Sequence, residues 1–136
     1  MSHLEYGFQT TLTNVSFDEA VERVTAALKE QGFGVLTEID VGKTLKNKLD
    51  VDFRPYLILG ACNPQLAHRA LQAESQIGLL LPCNAVIQKT ADNEVTVSIA
   101  DPEAMFRLVD NPAIEPIAKD AEVRIKAALQ ALGGTS

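Results

Sequence analysis

Tryptophan is absent from this chain, aromatic residues make up only 5% of it, and cysteine and histidine occur twice each. These scarcities exclude whole classes of function. Without aromatics interleaved with basic residues there is no platform on which single-stranded bases would stack. A formal net charge of −6 removes the bulk attraction for phosphate backbones, so nucleic acid is not an expected partner. No apolar run reaches the roughly 18 residues that cross a bilayer. Met1 to Phe8 lacks a basic stretch followed by an apolar one, so a secretory signal is not expected either. The expectation is therefore no membrane and a cytoplasmic location, where Cys62 and Cys83 would stay free thiols.

Hydrophobic residues make up 46% and charged residues 22% of the 136, an ordinary balance for a globular chain that builds its core without disulfide or metal staples. Residues 1–136 read as one domain. The densest basic stretch, Lys43, Lys46, Lys48 and Arg54, reads as a solvated helix face.

Hydrophobic periodicity then places the elements. Glu5 to Leu12 alternates as a strand, with Tyr6, Phe8, Thr10 and Leu12 on one face. Ser16 with Glu19 three residues on forms a capping box. The helix behind it carries Phe17, Ala20, Val21, Val24 and Leu28 on one stripe and ends at Gly32. Phe33 to Ile39 suits a strand, and Asp40 caps a short helix with Val41, Leu45 and Leu49 on one face. Arg54 to Cys62 reads as a strand apolar on both sides, hence covered on both faces by a helix or a partner subunit. Asn63 and Pro64 suit the N-cap and first position of the next helix, whose stripe is Leu66, Ala67, Ala70 and Leu71.

Gly78 to Lys89 reads as a strand interrupted by Pro82, and Asp92-Asn93 as a hairpin turn into Val95 to Ile99. Asp101-Pro102 opens a short helix through Val109. Asn111-Pro112 opens the last helix, with Ile114, Ile117, Ala121, Ile125, Ala128, Leu129 and Leu132 inward. Gly133-Gly134 ends it, and Thr135-Ser136 should fray. The order βαβαβαββαα, closed by a hairpin, implies an α+β fold with a mixed or mainly antiparallel sheet.

The candidate chemistry lies in two echoes, Gly60-Ala61-Cys62-Asn63-Pro64 and Leu80-Leu81-Pro82-Cys83-Asn84. Cys62 precedes a helix N-terminus, where amide N–H groups and the positive dipole end favour a thiolate. The same position also suits a small buried hydrophobe. Cys83, beside Pro82, becomes interesting as a helper if both thiols face one cavity, where a reversible disulfide or a two-coordinate soft metal such as copper or zinc would be possible. His68, one and a half turns into the helix, is a third possible ligand or proton carrier, or a plain boundary residue. Cys62, His68 and Cys83 fit none of the paired spacings of zinc sites. Arg54, Arg69 and Asn84 complete the set of candidate contacts for a small anionic or thiol-reactive molecule near the Asn63 helix mouth. Gly42-Lys43-Thr44 is not a phosphate loop, because Thr37 stands where the motif needs glycine. No serine lies in a nucleophile elbow. Nothing in the residues names a cofactor or a reaction.

Taken as a set, Leu59 to Pro64, Leu66-Ala67-His68-Arg69-Ala70-Leu71, Ile77 to Cys83 and Asp101-Pro102 resemble the DUF302 family, small domains without an assigned function. The resemblance runs from about Gln31 to Leu132. It implies an α+β fold in the TATA-binding-protein-like topology group and a homodimer. Asn63-Pro64, Leu81-Pro82 and Asp101-Pro102 match the family's signature, whereas many members lack cysteine at positions 62 and 83. The thiol pair therefore reads as a subgroup feature.

Overall fold

Alternating strands whose apolar side chains fall on one face can only be stable with that face covered, and α1 and α5 cover it here. The computed structural model describes residues 2–134. Its elements are β1 (Ser2–His3), β2 (Gly7–Thr13), α1 (Phe17–Glu30), β3 (Gly34–Asp40), α2 (Val41–Leu49), β4 (Tyr56–Cys62), α3 (Pro64–Ala73), a 3₁₀ segment (Ser75–Leu80), β5 (Cys83–Ala91), β6 (Glu94–Ala100), α4 (Pro102–Phe106) and α5 (Glu115–Ala131). Six strands form one sheet in the order β1-β2-β6-β5-β4-β3. Every neighbouring pair is antiparallel, so the sheet is antiparallel throughout rather than mixed.

Phe8, Thr10 and Leu12 of β2, Val95, Val97 and Ile99 of β6, Ala85 and Ile87 of β5, and Leu57, Leu59 and Ala61 of β4 are all buried. They meet the stripes of α1 (Ala20, Val24, Leu28) and α5 (Ile117, Ala121, Ile125, Ala128, Leu129). Burying one such Ile or Leu fully is worth about 1.5–3 kcal/mol, so α5 contributes more to the fold than any other helix. By contrast, α2 buries no residue, and Leu49 of its expected stripe stands exposed.

The helix starts follow their capping side chains. Ser16 Oγ accepts from Glu19 N at 3.0 Å, Asp40 Oδ1 from Lys43 N at 2.9 Å, Asn63 Oδ1 from Leu66 N at 3.2 Å, and Asp101 Oδ1 from Glu103 N at 2.9 Å. Gly32 ends α1 at φ +84°, and Asn93 turns the β5–β6 hairpin at φ +58°.

Several expectations are corrected. The chain begins its pairing earlier than expected, with β1 folding back on β2 through Leu4 N donating to Gly7 O at 2.6 Å. Tyr6 falls in that turn, 68% exposed, instead of on the buried face. β4 starts at Tyr56 and not Arg54, because Pro55 has no N–H to give a ladder. The expected strand from Gly78 splits into a 3₁₀ segment and β5, which starts after Pro82. There the proline blocks the ladder, while Ile77 is buried in the core, Leu80 and Leu81 pack partly against it and Leu79 stays exposed. α4 stops at Phe106, short of Val109. α5 starts at Glu115, with Asn111 instead closing the preceding turn by accepting from Ala113 N at 3.0 Å. On the second face of β4, Tyr56 and Ile58 are half-buried. The fraying expected of Thr135-Ser136 lies outside the described residues.

On that second face, Gly60 lies beneath Thr37 of β3 and Pro82. A Cβ added there would collide with Thr37 Oγ1 and sit 2.8 Å from Pro82 Cγ. Gly60→Ala should therefore cost about 1–3 kcal/mol of stability. Gly78→Ala, whose Cβ would meet nothing within 4 Å, should stay within about 0.5 kcal/mol of the parent. Urea unfolding of both variants tests the pair, and equal midpoints would contradict the packing.

Candidate functional site

The site is built where β4 hands over to α3. Asn63 is buried, and its amide serves two purposes. Oδ1 caps Leu66 N, while Nδ2 lies over Gly32, where an added Cβ would approach it to 2.8 Å. A glycine is thus needed at position 32 twice over, for its positive φ and for this close approach. Behind the amide, Arg124 of α5 donates through Nε to Asp120 Oδ1 at 2.8 Å and through Nη1 to Gln31 O at 3.3 Å. Arg69 of α3 reaches Asp120 at 3.9 Å. The ends of α1 and α3 are therefore tied to the side of α5.

Register brings the thiols to the same end. Ala61 pairs with Cys83, so Cys62 lies one step beyond on the neighbouring strand. Strand spacing and rise place such diagonal Cα atoms about 6 Å apart. Both cysteines are free and half-buried, and both line one small pocket of about 30 Å³ with Asn63, Phe33, Leu81 and Ala67. Apart from the Asn63 amide, the wall is apolar.

Electrostatics here runs against the helix-mouth expectation for Cys62. Burial pushes its thiol above the ordinary value instead of favouring the thiolate. Cys83 is pushed up to about 11, first by burial and then by the adjacent Cys62 charge. The reason is geometric. Cys62 precedes the cap and belongs to the strand, and the Asn63 side chain already holds Leu66 N. Desolvation therefore outweighs the dipole.

Of the sequence-derived candidates, Cys62, Asn63 and Cys83 come together. His68 and Arg69 are exposed on α3, with Arg69 engaged by Asp120 instead of lining the pocket. Asn84 sits on the opposite sheet face, paired in register with Gly60, and is also exposed. Arg54 precedes β4 at its far end, where Nε donates to Gln88 Oε1 at 2.9 Å and the guanidinium lies 4.4 Å from the Phe53 ring centre. Among the described residues, no three His, Cys, Asp or Glu side chains converge to hold a metal ion. Gly32, Asp120 and Arg124 were missed as parts of the site. Gly32 carried a signal only as a helix terminator, and nothing local marks a partner on α5.

Residues 8–132 match the family described as "Domain of unknown function DUF302", which reaches further toward the N-terminus than the motif set. A solved structure described as an uncharacterized conserved protein DUF302 from Bacillus stearothermophilus superposes with a TM-score of 0.82. It is 32% identical and covers 91% of this chain and 95% of its own. Two curated proteins, from Brucella suis biovar 1 (strain 1330) and Brucella abortus biovar 1 (strain 9-941), are named fluoride-specific ion channel FluC 1. Each is 31% identical over 102 residues, 74% of this chain. The match spans only 39% and 37% of their respective lengths.

The thiol environment makes a pH prediction. In the folded chain burial pushes the Cys83 thiol up to about 11, above its ordinary value. The unfolded thiol ionises first, so this group's contribution to stability is complete below the unfolded value and declines as pH rises toward 11. Alkylation of native protein should be slow at neutral pH, slower at Cys83 than at Cys62, and should climb with pH at both. Peptide-resolved labelling rates between neutral and alkaline pH check this. Rapid labelling of Cys83 at neutral pH would contradict it.

Proposed function

The chain belongs to the DUF302 family of domains of unknown function, and we propose that within it this chain is a small binding or sensing module whose responsive element is the Cys62–Cys83 pair. The observation that carries this reading is that both cysteines line one apolar pocket. Sites for drug-sized ligands run to roughly 300–1,000 Å³, whereas this one holds about 30 Å³. The ligand class is therefore a few atoms at most. An anion finds little here, since the lining carries no lysine or arginine and the capping amide is engaged. A thiol-reactive species fits better.

The step proposed uses a hydroperoxide. The Cys62 sulfur attacks one peroxide oxygen, the O–O bond breaks, and with hydrogen peroxide a water leaves as the sulfenic acid forms. The Cys83 sulfur then attacks the Cys62 sulfur, the S–O bond breaks and a second water leaves. Two thiols are oxidised by two electrons to one disulfide, and one peroxide is reduced to two waters. The diagonal Cα spacing of about 6 Å lies inside the disulfide range. Alternation, however, puts Cys62 on the Gly60 face and Cys83 on the Ala61 face, so the end of β4 must turn for the bond to close. A cytoplasmic setting, which keeps the pair reduced between events, belongs to the same reading.

A second reading is favoured by the pocket volume, which suits a single ion. One soft monovalent ion such as Cu(I) would displace both thiol protons, so its affinity would rise with pH.

Hydrogen peroxide treatment of native protein, read by intact mass, separates these readings. The redox reading expects loss of two hydrogens, reversed by a dithiol reductant. With Cys83→Ser, oxidation should stop at a sulfenic acid on Cys62 that dimedone traps. Retention of one Cu(I) against a competing chelator, without that mass change, would favour the ion instead. Thiols inert to both until the chain unfolds would leave only core packing.

The proteins named as fluoride-specific ion channels extend far beyond the shared stretch. Among the described residues of this chain, no helix is long and apolar enough to cross a membrane. We read the shared part as a module attached to those channels and not as their conducting part.

The homodimer is also proposed, through the β3 edge and α2. β3 is exposed except at half-buried Val35, and Leu36, Ile39, Leu49, Val51 and Phe53 form half of the large exposed apolar side chains among the described residues. Residues 36–54 carry four acidic and four basic side chains, so the net charge of −6 lies entirely elsewhere. A charge-balanced apolar edge is where two acidic copies can meet. Sedimentation should show a dimer that Ile39→Lys converts to a folded monomer. A monomeric parent at tens of micromolar would overturn the proposal.

A further inference from the structure

The opposite edge of the sheet carries a different device. β2 would be the outer strand but for β1, a two-residue strand pairing Ser2 with Gln9 and His3 with Phe8. So short a strand has little pairing of its own to hold it. What holds it is the His3 side chain. The imidazole stacks on Phe8 with ring centres 4.8 Å apart and planes at 21°, and its Nε2 lies 3.4 Å from Asp101 Oδ2.

Asp101 is placed to act as an anchor. It is 4% exposed, so its carboxylate is shielded from water. Oδ1 is committed to α4, accepting from Glu103 N at 2.9 Å and Ala104 N at 3.4 Å. Its own backbone N–H donates to Tyr6 O at 2.9 Å, which pins the far end of the turn between β1 and β2. Oδ2 is therefore the oxygen that faces His3.

The surrounding charges make this contact sensitive to protonation. Glu103 from α4 and Glu122 from α5 face one another in a hydrogen bond that raises Glu103 and lowers Glu122. Lys126 Nζ reaches Glu122 Oε1 at 2.7 Å and lies 5.1 Å from the Phe8 ring centre. Lys119 acts on Glu103, and His3 itself acts on Glu122. Three carboxyl groups thus meet two lysines, and an imidazolium at position 3 supplies the missing positive charge.

We propose that β1 is a proton-tightened strap over the β2 edge, held closed when His3 is an imidazolium facing the buried Asp101 carboxylate and loosened when His3 is neutral. When it opens, the N–H and C=O groups of β2 that β1 covers become free to pair. The device is independent of the thiol pocket.

The test reads the Leu4 amide, which donates across the strap turn to Gly7 O. Its protection against solvent exchange, corrected for intrinsic pH dependence, is measured by NMR at about pH 5 and about pH 8 on the parent, His3→Gln and Asp101→Asn. Glutamine keeps a donor but cannot titrate, and asparagine keeps the α4 cap. The parent should lose protection several-fold at the higher pH, and both variants should be low and flat. A parent that does not change, or a His3→Gln variant that changes equally, overturns the proposal. Because His3 is exposed, His3→Gln decides the matter even if Asp101→Asn fails to fold.

Discussion

The register between β4 and β5 sets Leu57 against Ile87, Leu59 against Ala85 and Ala61 against Cys83. It continues through β6, where Ile87 meets Val97, and on to β2, where Val97 meets Thr10. A one-residue slip anywhere along this line would turn a whole apolar row away from α1 and α5. The same alignment decides the site. It places the two cysteines at neighbouring strand ends, with α3 starting directly behind them. The thiol pocket is thus a by-product of how the core is kept in step.

Within that frame, two opposing influences meet at Cys62. A helix start offers amide donors and a positive dipole end, which would lower a thiol's pKa. An apolar pocket withdraws water, which raises it. Asn63 tips the balance by using its own oxygen to cap α3, so the strand-end sulfur is left with desolvation. The pair is therefore half-buried, protonated thiol rather than exposed thiolate at neutral pH. Any ligand or oxidant acting on it must compensate for that or exploit it.

Local chemistry made much of this legible in advance. Ser16, Asp40, Asn63 and Asp101 were identifiable as caps because short polar side chains ahead of apolar periodicity have few other uses. The α5 stripe, Ile114 through Leu132, was readable because a 3.6-residue period over that length has no competing explanation. What could not be read depended on contacts distant in sequence. In β1, His3 meets Asp101, which lies 98 residues away in sequence. Arg69 looked like a pocket charge until Asp120 proved to face it across the interhelix gap. Asn84 differs from Cys83 by one position and hence by a whole sheet face. The apolar run around Pro82 misled because period two and period three cannot be told apart over so few residues.

The absence of any buried residue in α2 means that the chain is not equally committed to all its parts. α2 rests on the Asp40 cap, contacts with β3 and β4, and surface ion pairs from Lys46 to Asp50 and Asp52. Such pairs are worth at most about 1 kcal/mol each, far less than the buried stripe of α5. It is therefore the natural unit of local unfolding, able to melt and re-form while the sheet stays intact. Since α2 directly follows β3 in the chain, the accessibility of that edge is a fluctuating property, set by the weakest helix in the molecule.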